Sequence, residues 1–130
     1  MRLEGKVAFI SGGARGMGAA EARLFASEGA MVAIADVLEE EGRRVAAQIG
    51  ESGGKAIFLP LDVTSEPQWQ GAIAATVAEF GKLDILVNNA GIGGHGNVEN
   101  TTVEDWDRVM DINAKGVFLG TKAAIPELRR

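Results

Sequence analysis

The chain has 130 residues, 46% of them apolar, with 13 basic against 18 acidic side chains, a formal net charge of −5 and no cysteine. That length suits one domain with its own apolar core, expected to span residues 1–130, and leaves no room for a second unit. No stretch approaches the roughly 18 uninterrupted apolar residues of a membrane helix, no basic face is present to receive nucleic acid, and without thiols there is neither a disulfide nor a thiolate metal site.

In chain order, Met1-Arg2-Leu3-Glu4-Gly5-Lys6 carries charges where a secretory signal would need an apolar run, so no export is expected and the cytoplasm is the expected compartment. A first strand is expected at Val7 to Ile10. Directly after it comes Ser11-Gly12-Gly13-Ala14-Arg15-Gly16-Met17-Gly18, and then the helix-forming run Ala19 to Phe25, so the glycine-rich turn opens a helix. Gly12 permits a tight strand-to-helix turn, Gly16 lets the backbone approach a pyrophosphate, and Gly18 lets the helix pack close to the sheet. Free amides at the helix start would face the anion. Gly12, Arg15, Gly16, Met17 and Gly18 are therefore candidate contacts of a dinucleotide.

A second strand is expected at Met31 to Ala35. Asp36 ends it, at the spacing from the glycines expected of the acid that binds an adenosine ribose. A carboxylate there accepts from both ribose hydroxyls and repels a 2′-phosphate, which favours NAD over NADP. Arg15 pulls the other way, since a guanidinium can pair with that phosphate. Asp36 could also simply cap the helix expected near Leu38, in which Val45, Ala46 and Ile49 share a face.

A third strand is expected at Ala56 to Leu61. Thr64-Ser65-Glu66-Pro67 then signals a helix start, with a hydroxyl cap and a proline in the first turn. Trp69, Ala72, Ile73, Thr76, Val77 and Phe80 make one stripe of that helix. The fourth strand is expected at Leu83 to Val87. None of the four runs alternates cleanly, as expected of strands covered on both faces. Strands alternating with helices predict an α/β fold, a Rossmann-type doubly wound parallel sheet with helices on both faces.

The loop Gly91-Ile92-Gly93-Gly94-His95-Gly96 follows. His95 there could touch a substrate, although a lone loop histidine is more often only solvated. Thr102 to Arg130 reads as one long helix with Trp106, Val109, Met110, Asn113 and Val117 on a stripe. Trp69 and Trp106 are expected in core or interface. No strand follows, so the sheet would present an open edge, and a fifth strand is expected outside these residues.

The turn spacing Gly-x-x-x-Gly-x-Gly resembles the short-chain dehydrogenase/reductase family. Leu3-x-Gly5-Lys6, Asp62-Val63, Asn88-Asn89-Ala90-Gly91 and Asp111-Ile112-Asn113 match it in order along the chain. The resemblance implies that Asp62 and Val63 hold the adenine, and that Asn88 ties neighbouring strands together. It implies that Asn89, Ala90 and Gly91 line the cofactor ribose, and that Asn113 belongs to the catalytic set. Asp62 could equally be a turn aspartate, and the Asn113 amide on an apolar stripe must find partners or cost stability.

Hydride transfer from an alcohol needs a base for the hydroxyl proton. The family uses a tyrosine, lowered from its usual pKa of ~10 by a lysine, with a serine that orients the substrate oxygen. The chain has no tyrosine. The resemblance thus implies an NAD-dependent dehydrogenase of secondary alcohols or hydroxysteroids for the parent protein, the present residues lacking the serine and the Tyr-x-x-x-Lys. A non-catalytic NAD(H)-binding or sensing module is the alternative. Family members associate through the helix near Thr102, which implies a homodimer or homotetramer, with a small-molecule alcohol or ketone as substrate.

Overall fold

The computed structural model describes residues 1–94 and 96–130, so the suggested role of His95 lies outside the described residues. Four strands, β1 (Val7–Ser11), β2 (Met31–Asp36), β3 (Lys55–Pro60) and β4 (Ile85–Asn88), form one parallel sheet in the order β3-β2-β1-β4. The crossovers are α1 (Gly16–Ser27), α2 (Glu39–Glu51) and α3 (Glu66–Phe80). The strand order runs outward from β1 through β2 to β3, then restarts on the other side of β1 with β4. The chain therefore diverges at the carboxyl ends of β1 and β4, the switch point at which open parallel sheets bind ligands.

Side chains alternate across the pleat and feed two cores. Phe9, Ala33 and Ala35 face one way, onto Trp69, Ile73 and Leu119. Ile10, Val32 and Ile34 face the other, onto Ala22, Val45, Ile49 and Phe58. Cover on both faces holds for β1, which is buried throughout, and for the middle of β2. The outer strands β3 and β4 are mostly only half-buried.

Helix α3 follows its sequence signals. The Ser65 hydroxyl accepts from the Gln68 amide at 3.3 Å, Pro67 sits in the first turn, and Gly81 closes the helix with φ 88°. Its stripe is the buried one, Trp69, Ala72, Ile73 and Thr76. Trp69 packs on Phe9 with ring centroids 5.5 Å apart, and its indole N–H donates to the Val63 carbonyl at 3.0 Å. The large apolar body and the single polar atom are thus both satisfied.

The C-terminal helix departs from the single long helix expected. It begins as α4 (Val103–Met110), capped by the Thr102 hydroxyl accepting from the Asp105 amide at 3.0 Å, and it ends as α5 (Gly116–Leu128). Between them Asp111–Lys115 winds as a π-turn, centred on Asn113. The expected apolar stripe stands largely uncovered: Trp106 is 58% exposed, Met110 39% and Val117 38%, and no residue of α4 is buried, so of the two places expected for Trp106, core or interface, the core is excluded. The sheet ends at β4, so only the half of α5 carrying Leu119, Gly120 and Ala124 finds a surface to cover. Among the described residues no helix is long and apolar enough to cross a membrane.

Candidate functional site

A groove of about 490 Å³ opens over the carboxyl ends of the strands. Its first wall is the turn after β1. Gly12 has φ +69°, and a Cβ on it would lie 2.9 Å from the Ala90 Cα. A Cβ on Gly18 would lie 2.6 Å from the Asn89 amide nitrogen and against the Gly12 carbonyl. Gly18 therefore lets α1 pack onto the turn itself rather than onto the sheet. The glycine that meets the sheet is Gly13, where a Cβ would stand 2.8 Å from Ile34. Gly16, with φ +57°, has nothing within 4 Å of the same position and leaves the groove open.

Helix α1 begins without a side-chain cap and with no acidic residue in its first turn. Its leading amides and the positive end of its dipole thus face the groove between Arg15 and Met17, which suits an anion. An open helix start, a glycine with free space above it and a carboxylate beside the turn together fit the phosphates and a ribose of a dinucleotide.

Asp36 lines the same groove. One carboxylate oxygen accepts from the Ala14 amide at 3.2 Å, and the other from the Leu38 amide at 3.1 Å. It therefore does hold the entry to α2, whose cap position is Leu38, but it also staples the glycine-rich turn. Arg15 lines the groove too.

At the end of β3, Asp62 Oδ1 accepts from the Thr64 amide at 2.9 Å and from the Thr64 hydroxyl at 2.7 Å, which is the turn role. Asp62 and Val63 both line the groove. Val63 is fixed from below by Gly116, where a Cβ would be 2.9 Å from the valine Cγ2.

After β4, Asn89 donates from its side chain to the Gly12 carbonyl at 3.1 Å. The Asn89 and Ala90 amides both donate to the Ser11 hydroxyl, at 3.1 and 3.2 Å. Asn88 pairs with Ser11 of β1 in the ladder, and its side-chain nitrogen donates to the Thr121 hydroxyl of α5 at 3.3 Å. Its carbonyl oxygen is buried with no partner among the described residues. Asn113 finds its partners on one residue, accepting from the Ile92 amide at 2.8 Å and donating to the Ile92 carbonyl at 2.7 Å. It lies beside Gly91, whose Cβ would come within 3.2 Å of the Asn113 oxygen.

The groove thus gathers Gly12, Arg15, Gly16, Met17, Asp36, Asp62, Val63, Asn89, Ala90 and Gly91. Gly18 and Asn113 stand behind its walls. Sequence reasoning assigned nothing to Ser11, which is 1% exposed and ties β1 to the Asn89-Ala90 turn. It also missed Arg108 and Ile112, which line the groove from the C-terminal helix. The spacing of Arg108 and Ile112, four apart on one helix face, was the available signal.

Two carboxyls with lowered pKa lie at the opposite, amino-terminal end of the sheet. Burial would raise Asp84, but the hydrogen bond from the Val7 amide and the charges of Lys82 and Lys6 outweigh it. Glu28 is lowered mainly by the hydrogen bond from the Arg2 amide, against a smaller effect of burial. Both brace strand ends and stand apart from the groove.

Fold and groove define an α/β unit of the Rossmann type. The family model described as short chain dehydrogenase matches residues 6–130. The chain belongs to the short-chain dehydrogenase/reductase family. It is 51% identical over 127 residues to 2,5-dichloro-2,5-cyclohexadiene-1,4-diol dehydrogenase of Sphingobium indicum, covering 98% of this chain and 51% of that protein. It is 48% identical over 129 residues to cyclopentanol dehydrogenase of Comamonas testosteroni, covering 99% and 52%. Among solved structures, a dehydrogenase/reductase from Sinorhizobium meliloti superposes with a TM-score of 0.94 at 42% identity, covering 97% of this chain and 50% of that one. The chain spans about half the length of the curated relatives it matches.

Proposed function

We propose that this protein is an NAD-dependent oxidoreductase that interconverts a secondary alcohol and a ketone, and that the groove holds the cofactor. The observation that carries the reading is the pairing of the uncapped α1 start with the Asp36 carboxylate in one groove. In this reading the α1 amides, with Gly12, Gly16, Met17 and Gly18 shaping their approach, hold the pyrophosphate. Asp36 accepts from the adenosine ribose and excludes a 2′-phosphate, Asp62 and Val63 take the adenine, and Asn89, Ala90 and Gly91 line the second ribose. When bound, the nicotinamide supplies the hydride acceptor or donor. Asn113, through Ile92, fixes the loop beside it and is the member of the catalytic set within these residues.

Relatives named for cyclic diols, cyclopentanol and hydroxysteroids support a cyclic secondary alcohol as substrate class. The proton-accepting tyrosine, its lysine and the serine are inferred to lie in sequence that the longer relatives have beyond this span. The 130 residues alone are then expected to bind cofactor weakly and to turn nothing over. Assembly as a homodimer or homotetramer is supported by the exposed Trp106 and Phe118. A cytoplasmic setting is proposed, in keeping with a sequence that carries no cysteine.

Fluorescence titration with NADH and NADPH tests the cofactor. NADH is expected to bind at least about tenfold tighter, or ~1.4 kcal/mol, and Asp36→Ala is expected to narrow that gap chiefly by admitting NADPH. Equal or tighter NADPH binding by the unaltered chain would refute the NAD assignment, and binding of neither would refute the cofactor reading. A longer form with intact tyrosine and lysine that bound NAD but oxidised no alcohol of a broad panel would refute the dehydrogenase and leave a binding or sensing module.

A further inference from the structure

Arg108 is one of two cations in the groove, with Arg15, to which the cofactor reading gives no contact, and the one on the C-terminal helix. Glu104 stands four residues before it, the spacing at which Arg43 pairs with Glu39 at 2.8 Å and Arg44 with Glu40 at 3.4 Å. Asp105 and Asp111 stand three residues to either side. Arg108 nevertheless has no ion-pair or hydrogen-bond partner for its guanidinium among the described residues. It borders the groove instead, and also a second cavity of about 270 Å³ beside Gly94, Thr101 and Trp106.

Its place along the helix says which end of the groove it overhangs. Arg108 and Ile112 both line the groove from this helix, and the π-turn that carries Ile112 leads into Gly116. Gly116 packs on Val63, and Ile112 lines the groove with Asp62 and Val63. This stretch therefore rises over the carboxyl end of β3, the end assigned above to the adenine. A guanidinium is planar, weakly hydrated and suited to lie on an aromatic face, and its aliphatic stem continues the apolar wall begun by Ile112.

We propose that Arg108 is a binding residue that closes the adenine end of the groove by stacking its guanidinium plane on the base, while Asp62 and Val63 read the base's edge. The inference rests on the cofactor reading. The second cavity gives the side chain room to swing aside, so Arg108 acts as a movable cover rather than as part of the fixed wall.

The test compares AMP, NADH and nicotinamide mononucleotide by calorimetry on the unaltered protein, Arg108→Met and Arg108→Lys. Methionine keeps the stem and removes charge and plane; lysine restores the charge alone. AMP and NADH binding are expected to weaken about threefold to tenfold in Arg108→Met. Arg108→Lys is expected to recover less than half of that loss on a logarithmic scale, and nicotinamide mononucleotide affinity is expected to stay within twofold. AMP binding unchanged in Arg108→Met overturns the proposal. Full recovery by lysine also overturns it, because charge on a phosphate would then suffice, and so does an equal loss for nicotinamide mononucleotide. If the unaltered protein binds none of the three, the cofactor reading fails as well; if it binds AMP and the variants do not differ, only the role of Arg108 fails. Circular dichroism melts of both variants are expected to match the unaltered protein, since the side chain is exposed.

Discussion

Replacing Gly18 by alanine puts a methyl group where three heavy atoms already stand. The added Cβ would lie 2.6 Å from the Asn89 side-chain nitrogen, 2.8 Å from the Gly12 carbonyl carbon and closer still to its oxygen. Neither neighbour yields easily, because the Gly12 amide is bonded to the Ala35 carbonyl at 2.8 Å and the Asn89 amide to the Gly12 carbonyl at 3.1 Å. Forcing the backbone apart costs ~1–3 kcal/mol, and breaking the Asn89 bond costs a further ~0.5–1.5 kcal/mol. The better helix propensity of alanine returns up to ~1 kcal/mol, leaving a net loss of about 0.5–4.5 kcal/mol. With an unfolding entropy of roughly 2.1 cal/mol/K per residue, that loss lowers Tm by roughly 2–16 °C. Gly71→Ala is the internal control: it lies exposed in α3 with nothing within 4 Å of the new Cβ, so propensity alone should stabilise it by up to ~1 kcal/mol. Thermal melts followed by circular dichroism read both. A Gly18→Ala variant that melts within 2 °C of the unaltered chain, or above it, would refute close packing of α1 on the turn as the reason for this glycine.

Removing the Asn113 side chain as Asn113→Ala breaks both bonds to Ile92, so amide exchange at residues 91–94 should speed up by about tenfold or more, as expected for ~1.5 kcal/mol of lost local protection. Protection unchanged at Ile92 would remove Asn113 as the loop's anchor. Asp84, held below its ordinary pKa of 3.8, contributes stability that is fully present above that value and is lost as pH falls through its lower folded value. The stability gap between the unaltered chain and Asp84→Asn should accordingly be flat near neutrality and shrink only below about pH 4. Urea melts at several pH values check this, and a gap that widens on acidification contradicts it.

The fold was legible because its signals are local and mutually consistent. The glycine turn, the Ser65–Pro67 start and the Trp69 stripe each named an element, and strand alternation with helices named the sheet. Strand ends moved by a residue or two, since hydrogen bonding and not hydrophobicity ends a strand; Asp36 and Asn88 pair in the ladder although they are polar. The C-terminal helix was legible only in part. An apolar stripe states that a face seeks cover without saying whether the cover is in the same chain, and here Trp106, Met110 and Val117 stay exposed. The π-turn was also invisible, because nothing in Asp111-Ile112-Asn113-Ala114-Lys115 disfavours ordinary winding. It is associated with a long-range partner, the Ile92 backbone, twenty-one residues away. Ser11 escaped notice for the same reason, since a serine beside two glycines reads as a turn residue until Asn89 and Ala90 are brought to it.

The hydrogen bonds around the groove divide into two kinds, and the division bears on function. Those that build it are satisfied within the chain: Ser11 holds the Asn89-Ala90 turn, Asn89 holds Gly12, Asp36 holds Ala14 and Leu38, and Asn113 holds Ile92. Every carboxyl-end loop of β1, β2 and β4 is thereby fastened without help from a ligand, which lowers the ordering cost of binding. Those that face it have no partner in the chain: the start of α1 has no side-chain cap, and Arg15 and Arg108 pair with no carboxylate among the described residues. A groove that only filled space would have no reason to keep two cations and a helix start unpaired beside two aspartates. A ligand that carries anionic phosphates, ribose hydroxyls and a flat base would satisfy all of them at once, which is the ligand of the proposed function.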